Sequence, residues 1–356
     1  MDELRLHGCF WPVTSATADD VERARGLAAE HSGAAIRMAT CQRIEVYSLE
    51  PCPCDAPMRA EGNAIAHLAE VAAGLHAAVL GETQVLGQVR EAVSGAPLPL
   101  RRAGEVAIAA ARDLRREAAF DADTSQNLDH ALTLSGVEAG GRLLILGAGH
   151  MGKTIARRAR SLGFDHVTIA VRNAAGRELP VGGDELVSLE DIGSLAPVNV
   201  MVGCLGDRNG RFWLGHVPQA NLAVDLGTPA NFPDSVPNRV TIATLMENEP
   251  SADAARRVAL RGRLQEILER RLNDACHTAA SPAGRLRQEI EAIRLREASA
   301  IERLHPEIPR QTVDAITRRI VNQIFHLPSS RLKQTDDREF GDRVADLFGA
   351  TPRGRE

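Results

Sequence analysis

The chain has 356 residues, enough for two or three domains, and its apolar and charged fractions of 44% and 25% are typical of a globular protein with a sizeable core. A net charge of −5 argues against a protein that coats nucleic acid or a membrane surface, although it does not exclude a local basic face. No apolar run is long enough to span a bilayer, so we expect no membrane protein.

The first part of the chain alternates between helix-like and strand-like apolar spacing, which indicates an α+β domain. The pattern predicts a helix over 19–31, followed by a strand, a turn and a second strand over 35–48. Two further helices are predicted over Ala64–Ala73 and 104–119. We therefore place the first domain at residues 1–130.

The turn between the two predicted strands carries a thiol at Cys41, between the hydroxyl of Thr40 and the guanidinium of Arg43. Ile44 and Val46 follow in strand-like alternation, so the cysteine stands at the end of a buried strand. Two interpretations fit this pattern. A nearby arginine lowers the pKa of a thiol and makes it a candidate nucleophile, but a free cysteine is also a common core residue.

Three glycines and Glu82 interrupt an apolar pattern that extends from Gly74 to Val89. Glycines in such positions often mark a close approach of two backbone segments. His67 lies on the predicted helix just before this stretch, where it is either a hydrogen-bonded core residue or a catalytic group. The stretch is a second candidate segment whose chemistry the pattern alone leaves open.

The pattern changes at Gly141, where a continuous apolar strand, Arg142–Leu146, leads into a glycine-rich turn and a helix over 154–162. This is G-x-G-x-x-G between a strand and a helix, which predicts a Rossmann-type dinucleotide-binding domain over 131–250. The turn consists of Gly147, Ala148, Gly149, His150, Met151 and Gly152. The pyrophosphate is expected at the helix N-terminus, where free N–H groups and the helix dipole favour an anion.

The second strand of this domain, over 167–171, ends at Arg172 and carries no acid at its tip. An Asp or Glu there would bind the ribose hydroxyls of NAD, whereas an arginine accommodates the 2′-phosphate of NADP. Further strands are predicted over 198–204 and 222–226. The sequence therefore favours NADPH as the cofactor.

The last third of the chain is predicted to be helical, over 251–345, with a tail over 346–356. Apolar residues fall on one face of two long runs that Pro282 separates. Long amphipathic helices at the end of an enzyme usually form a subunit interface or a spine.

The six cysteines have no disulfide-framework spacing, and the chain begins without a secretory signal. Cys52-Pro53-Cys54 has no second pair nearby, so we expect no zinc site and no other metal. These features favour a reducing, cytoplasmic location, which keeps a catalytic thiol free.

Three blocks of the sequence together resemble the glutamyl-tRNA reductase family. The first, Thr40-Cys41-Gln42-Arg43-Ile44-Glu45-Val46-Tyr47, is similar to the family's S-T-C-N-R-x-E-x-Y. The second combines His67-Leu68 and Val71-Ala72-Ala73-Gly74-Leu75 with Val79-Leu80-Gly81-Glu82 and Gln84-Val85-Leu86-Gly87-Gln88-Val89. The third, Arg318-Arg319-Ile320-Val321-Asn322-Gln323-Ile324-Phe325-His326-Leu327-Pro328, resembles the family's dimerisation domain.

The resemblance implies an α/β multidomain protein. It would have an N-terminal α+β catalytic domain, a Rossmann-type NADPH domain, a long spinal helix and an all-α dimerisation domain. The implied reaction is the NADPH-dependent reduction of glutamyl-tRNA to glutamate-1-semialdehyde, the first step of the five-carbon route to tetrapyrroles. The implied partners are tRNA, a second copy of the chain and glutamate-1-semialdehyde aminomutase.

The resemblance implies that Cys41 attacks the aminoacyl ester of the substrate and forms a thioester with its acyl group. Arg43 would hold the substrate carboxylate, and His67 would assist proton transfer. The substrate-binding residues that the resemblance implies are Thr40, Arg43, Glu45, Glu82 and Gln88.

The sequence departs from the family pattern at two positions that bear on the substrate. Ala77 replaces an expected substrate-contacting serine, and Ala230 replaces an arginine near the nicotinamide end. Two alternatives therefore stay open. One is a thioester reductase that acts on another aminoacyl or acyl carrier, and the other is a non-catalytic relative that binds tRNA or a partner enzyme.

Overall fold

A computed structural model describes residues 5–14, 16–31, 34–51, 54–120, 123–206, 216–334 and 337–350. The sequence predicts no zinc site at Cys52-Pro53-Cys54, and two of these residues, Cys52 and Pro53, lie outside the described residues. The part of the predicted tail beyond residue 350 also lies outside them. The chain divides into an N-terminal unit that extends to Leu268 and a C-terminal unit that begins at Glu269.

The N-terminal unit begins with an antiparallel sheet in the strand order β2-β3-β1-β4. Its strands are β1 (His7–Pro12), β2 (Ala35–Ala39), β3 (Arg43–Ser48) and β4 (Met58–Ala60). Every residue of β3 is buried, because it lies between β1 and β2 and is covered by helices. The predicted strand, turn and strand over 35–48 are confirmed.

Five helices accompany and follow this sheet: α1 (Ala18–Glu30), α2 (Ala64–Ala73), α3 (Gln84–Ser94), α4 (Leu98–Ala118) and α5 (Gln126–Ser135). The hydroxyl of Thr17 and the carboxylate of Asp20 cap the start of α1 reciprocally. The predicted helix over 104–119 begins earlier, at Leu98, because Pro99 is well accommodated in a first helical turn.

A parallel sheet of six strands follows in the order β10-β9-β8-β5-β6-β7. Its strands are β5 (Arg142–Leu146), β6 (His166–Val171), β7 (Glu185–Ser188), β8 (Val198–Gly203), β9 (Ala220–Asp225) and β10 (Arg239–Thr241). Leu143 and Ile145 join the core on one face of the sheet, and Leu144 and Leu146 join the core on the other. Strand β5 is continuously apolar because both faces of a parallel sheet are covered.

Two helices complete this part of the unit, α6 (His150–Leu162) and α7 (Ile242–Glu247), together with a 3₁₀ turn at Ile192–Ser194. Helix α6 begins at His150, four residues before the predicted start at 154, because Gly149 acts as its N-cap. The long helix α8 (Ser251–Ala280) follows and begins in the N-terminal unit. The predicted parallel, dinucleotide-type sheet is confirmed.

The C-terminal unit is helical, as predicted, and contains α9 (Pro282–Leu304), α10 (Arg310–Gln334) and α11 (Arg338–Asp346). Ala283, Leu286, Ile290 and Leu332 form its apolar core. Four large apolar side chains of α10 are instead more than half exposed: Ile316, Ile320, Ile324 and Leu327. Over the described ranges, no helix is long and apolar enough to cross a membrane.

Candidate active site

Cys41 occupies a tight turn between β2 and β3. The N–H of Thr40 donates to the carbonyl of Arg43 at 2.8 Å, and the hydroxyl of Thr40 accepts from the N–H groups of Gln42 and Arg43, both at 3.2 Å. Threonine favours such a turn because its hydroxyl bonds to nearby backbone groups. Thr40 therefore fixes the backbone that presents the thiol.

The turn with Cys41 meets the carboxyl ends of two parallel strands. Cys41 is half-buried and packs against one core of the parallel sheet, as does Cys204, which directly follows β8. Thr228, in the loop after β9, donates its hydroxyl to the carbonyl of Cys41. Ligands of open parallel sheets bind at the carboxyl ends of the strands, so the thiol lies at the edge where a dinucleotide is expected.

The thiol of Cys41 is protonated at neutral pH in this structure. Burial raises its pKa to about 11, the anionic charge of Glu82 raises it further, and Arg43 only partly offsets these effects. The sequence predicted that Arg43 lowers the pKa of this thiol. That prediction is right about the effect of Arg43 and wrong about the net direction, because burial and Glu82 outweigh the arginine.

Alternate residues of β3 build a buried polar row behind the thiol. Glu45 is 2% exposed and accepts hydrogen bonds from Tyr47 at 2.6 Å and from Nε2 of His67 at 3.1 Å. Nε of Arg43 lies 3.7 Å from the same carboxylate. Burial raises the pKa of Glu45, but His67, Arg43 and Tyr47 together lower it below its ordinary value, so Glu45 stays ionised. Glu45 therefore orients Arg43 and His67.

His67 lies among rings. It stacks on Phe10 with ring centroids 4.1 Å apart, and the ring of His76 lies 4.6 Å away on centroid distance. Because its Nε2 donates to the Glu45 carboxylate, Nδ1 is the acceptor nitrogen of the neutral ring. The structure thus brings His67 to Arg43 and Glu45 rather than into a described contact with Cys41.

Arg43 has one donor without an acceptor. Its Nη2 donates to the carbonyl of His76, while its Nη1 is buried and has no hydrogen-bond acceptor among the described residues. A buried guanidinium N–H that lacks a partner is costly unless a ligand completes it. A carboxylate is the natural complement because the planar guanidinium can bind both of its oxygens.

The loop between α2 and α3 approaches itself closely, as its glycines predict. A Cβ on Gly74, whose φ is +82°, would lie 2.9 Å from backbone atoms of Gly81 and Glu82. Arg115 of α4 donates to the carbonyls of Ala73 and Gly81 at 2.9 Å and to that of Glu82 at 3.1 Å. The backbone at Glu82 is therefore held rigidly.

The side chain of Glu82 is 5% exposed. Burial raises the pKa of this carboxyl to about 7, with Asp123 raising it and Arg43 and Arg115 lowering it. Gln88, in contrast, is exposed on α3 and makes no described contact with this cluster.

A second group of polar residues on the far side of the loop was not predicted from the sequence. Nε2 of His76 lies 2.7 Å from Glu70, which also pairs with Arg261 of α8 at 3.3 Å. Arg257 of α8 donates to the carbonyls of Leu75 at 2.5 Å and Ala77 at 3.2 Å. The first turns of α8 therefore hold the loop that binds Arg43. No sequence spacing signals contacts across about 180 positions.

The loop after β9 is built around a buried carboxylate that was also missed. Asp225 accepts from the N–H groups of Gly227 at 3.2 Å and of Asn231 and Phe232 at 3.0 Å. Burial raises its pKa, and these three backbone bonds partly offset that effect. The Asn231 amide bonds to the backbone of Leu205, so the loops after β8 and β9 form one surface.

The glycine-rich turn has the shape that a pyrophosphate requires. Gly147 has a φ of +108°, and a Cβ on Gly152 would lie 1.9 Å from the Gly147 carbonyl oxygen, so both positions need glycine. A Cβ on Gly149 would meet no described atom within 4 Å, and no side chain caps the first turn of α6. The open space and the free N–H groups fit the phosphates of a dinucleotide.

The other predicted cofactor residues line this turn and the next strand. Ala148 and Met151 are half-buried against the core of the sheet, while His150 is exposed. Arg172 is exposed at the carboxyl end of β6. Within the described ranges, no group of three His, Cys, Asp or Glu side chains is arranged to hold a metal ion.

Comparison with known proteins identifies relatives along most of the chain. A family model described as "Glutamyl-tRNAGlu reductase, N-terminal domain" matches residues 12–117, and one described as "Glutamyl-tRNAGlu reductase, dimerisation domain" matches residues 277–350. Glutamyl-tRNA reductase of Myxococcus xanthus is 27% identical, over 88% of this chain and 85% of the relative.

Two further proteins extend the comparison. Glutamyl-tRNA reductase of Aromatoleum aromaticum is 28% identical, over 79% of this chain and 75% of the relative. Among solved structures, glutamyl-tRNA reductase from Methanopyrus kandleri is similar over 98% of both chains, with 21% identity and a TM-score of 0.38.

Proposed function

Because the chain belongs to the glutamyl-tRNA reductase family, we propose that it reduces glutamyl-tRNA to glutamate-1-semialdehyde with NADPH, through a thioester on Cys41. The product opens tetrapyrrole biosynthesis. The observation that carries this proposal is the position of Cys41, which packs against the parallel sheet at the carboxyl ends of β8 and β9. A thiol at that edge can meet both an acyl group and a nicotinamide.

The first step is a thiol–ester exchange. The sulfur of Cys41 bonds to the ester carbonyl carbon, the bond from that carbon to the tRNA ribose oxygen breaks, and tRNA leaves with a free hydroxyl. Bound NADPH supplies the hydride that reduces the thioester. The C–S bond then breaks, which releases the aldehyde and restores the Cys41 thiolate for protonation.

The residues around the thiol have separate tasks in this reaction. The unpartnered Nη1 of Arg43 binds the substrate side-chain carboxylate, and Glu45 holds that guanidinium in place. Thr40 and the loop with Glu82 form the remaining wall, and the role of Gln88 in substrate binding rests on the family resemblance alone. His67, held by Glu45, assists proton transfer through Nδ1.

The cofactor is proposed to be NADPH. Its pyrophosphate would lie against the N-terminus of α6, and Arg172 would bind the 2′-phosphate. The chain is further proposed to form a homodimer through the exposed apolar face of α10 and to transfer its aldehyde to glutamate-1-semialdehyde aminomutase. A reducing compartment such as the cytoplasm would keep Cys41 free.

One observation favours a second acyl substrate. The side chain of Ala77 is fully buried beside Arg43's partner His76 and offers no hydroxyl to a polar substrate. An enzyme that reduces another aminoacyl-tRNA would not need a hydrogen bond from a hydroxyl at position 77, whereas a glutamyl-tRNA reductase that uses such a hydrogen bond would lose it in this chain.

Purified protein should oxidise NADPH only when an acylated tRNA is added. A panel of charged tRNAs, each tested with NADPH and NADH, separates the two candidates. The proposal expects turnover with glutamyl-tRNA and NADPH, with glutamate-1-semialdehyde as the product. Turnover with a different aminoacyl-tRNA alone would support the second candidate, and no turnover with any would contradict both.

A further inference from the structure

The loop between α2 and α3 is neither helix nor strand, and arginine side chains bind its backbone carbonyls. Arg115 of α4 binds carbonyls near the two ends of the loop. The carbonyls in its middle, at positions 75–77, are divided between Arg257 of α8 and Arg43 of β3. Carbonyls that are buried outside helices and sheets need donors of this kind. The middle of the loop therefore lies between two guanidinium groups from different elements.

Arg257 binds the outer two of these three carbonyls. Its Nη1 donates to the carbonyl of Leu75 at 2.5 Å, and its Nη2 donates to the carbonyl of Ala77 at 3.2 Å. The carboxylate of Glu249, just before α8, accepts from Nε of the same arginine, with oxygens at 3.0 and 3.3 Å. The side chains of Arg257 and Glu249 are only 13% and 17% exposed. A guanidinium that is bonded at every nitrogen and largely buried has little freedom to move, so it fixes both carbonyls.

The carbonyl between them, that of His76, accepts from Nη2 of Arg43. Nη1 of Arg43 has no acceptor among the described residues. The carboxylate of Glu45 lies 3.7 Å from Nε, which is close enough for an ion pair but too far for a hydrogen bond. The carbonyl of His76 is therefore the contact that sets the direction of the guanidinium fork.

A further hydrogen bond joins the same stretch to the turn that carries the thiol. The N–H of Ala78 donates to Oε1 of Gln42 at 3.3 Å, and Gln42 directly follows Cys41 in the chain. Gln42 and Arg43 are both only 8% exposed. The loop is thus bound to α8 on one side and to the Cys41 turn on the other. A displacement of residues 75–77 would act on Arg43 directly.

We propose that Arg257 is a positioning residue for Arg43. By holding the carbonyls of Leu75 and Ala77, it keeps the carbonyl of His76 in place for Nη2 of Arg43, which leaves Nη1 available to a substrate carboxylate. The donors of Arg257 are themselves occupied by the protein, so this residue acts through Arg43. The inference rests on the proposed function and adds a determinant of acyl-group specificity on α8.

The preference for a glutamyl over a glutaminyl group reports the alignment of Arg43. The two groups have nearly the same size, but only the glutamyl group carries a carboxylate. A guanidinium fork binds both oxygens of a carboxylate only when the two planes are aligned. A misaligned Arg43 should therefore weaken the binding of glutamyl-tRNA and change the binding of glutaminyl-tRNA much less.

The test measures this preference by binding alone. The parent protein is the full-length chain with Cys41→Ala, which cannot be acylated. Its Kd is measured for one tRNA in three forms: charged with glutamate, charged with glutamine, and uncharged. The same measurements are made after adding Arg257→Met, Arg257→Lys, Arg43→Met, or Arg43→Met together with Arg257→Met.

Arg263→Met on the same parent is the matched control. This arginine also lies on α8, but its described hydrogen bonds go to Glu117 and Glu266 and not to the loop. It should leave the preference of the parent unchanged.

The parent should bind glutamyl-tRNA roughly 10-fold or more tightly than glutaminyl-tRNA, as expected for a hydrogen bond to a charged group. Arg257→Met should reduce this preference by roughly 3-fold or more, the range of coupling between residues of one hydrogen-bond network. The affinity for uncharged tRNA should stay the same. Arg257→Lys should restore part of the preference, because an ammonium group keeps the charge but lacks the planar fork that spans both carbonyls and Glu249.

The double variant shows whether Arg257 acts through Arg43. In the Arg43→Met background, Arg257→Met should lower the preference no further, because the group that it positions is already gone. An arginine with only a structural role would lower the affinity for all three forms of the tRNA and would leave their ratios unchanged.

Two results would overturn the inference while the proposed function stands. Arg257→Met could keep the preference of the parent, or it could lower that preference by the same factor with and without Arg43. If Arg257→Met binds no tRNA at all, Arg257→Lys decides, and a preference equal to that of the parent would overturn the inference. A parent without any preference for glutamyl-tRNA would contradict the proposed function itself, and the inference with it.

Discussion

The hydroxyl of Thr228 donates a hydrogen bond to the main-chain carbonyl of Cys41, 187 positions away in the sequence. This contact joins the turn of the antiparallel sheet to the loop at the carboxyl end of β9. It therefore couples the position of the thiol to the edge of the sheet where the nicotinamide is expected. The consequence is that acylation and reduction should respond differently to changes at this contact.

Thr228→Val removes the hydroxyl and keeps the shape of the side chain. Loss of one hydrogen bond of about 0.5–1.5 kcal/mol should slow the reduction of the thioester roughly 2- to 12-fold, because the thiol is less well held against the parallel sheet. Acylation without NADPH should change little. Stopped-flow measurement of NADPH oxidation by pre-acylated enzyme checks this, with Thr133→Val on α5 as the control, since that hydroxyl bonds only within its own helix. Equal loss in both half-reactions would contradict the prediction.

Gly152→Ala should abolish NADPH binding. The added Cβ would lie 1.9 Å from the carbonyl oxygen of Gly147, so the turn that receives the pyrophosphate must distort. Fluorescence titration with NADPH measures the binding, and acylation of Cys41 should persist because the antiparallel sheet is unchanged. Gly262→Ala, on the exposed face of α8 with no described atom within 4 Å, is the matched control and should bind NADPH normally. Normal binding by Gly152→Ala would show that the phosphates lie elsewhere.

The carboxyl of Glu82 should make stability depend on pH. Burial raises its folded-state pKa to about 7, above the ordinary value of 4.5, so over this window the folded state binds more protons than the unfolded state. The contribution of Glu82 to the free energy of unfolding is therefore present at low pH and lost as the pH rises toward 7. Relative to the wild type, Glu82→Gln should gain about 3 kcal/mol between pH 4.5 and pH 7. Urea denaturation of both proteins across this pH range measures the difference between their free energies of unfolding. A difference that does not change with pH would contradict a raised pKa of Glu82.

The exposed apolar face of α10 should hold a second copy of the chain. Ile320 is 52% exposed, so Ile320→Glu adds a charge to this face without disturbing the core of the C-terminal unit. We expect the wild type to be a dimer and the variant a monomer at micromolar concentration in analytical ultracentrifugation. Val181→Glu, at a position 80% exposed in the N-terminal unit, is the matched control. A dimer that persists in Ile320→Glu would place the interface elsewhere.

Local patterns predicted most of the elements. The helix Ala64–Ala73 and the strand Arg142–Leu146 were predicted with the bounds that the structure has. The helix has apolar residues at helical spacing, the strand is a continuous apolar run, and a glycine follows each of them. Helix α3 was not predicted because glycines interrupt the apolar pattern that extends from Gly74 to Val89, although Val85, Val89 and Val93 form its buried face.

The site was predicted in part. Motif spacing identified Cys41, Arg43 and the glycine-rich turn, because each depends on neighbours in the sequence. The raised pKa of Cys41, the satisfied carboxylate of Asp225 and the pair formed by His76 and Glu70 depend on burial and on distant segments. Such properties arise only when the chain is folded.

The central claim is that Cys41 carries the acyl group. The most direct measurement is the trapping of labelled glutamate on the enzyme from glutamyl-tRNA without NADPH, in the wild type and in Cys41→Ser. The proposal predicts that the wild type retains the label, that added NADPH releases it as an aldehyde, and that Cys41→Ser retains none and does not oxidise NADPH. Labelling or NADPH oxidation by Cys41→Ser at the wild-type level would contradict it.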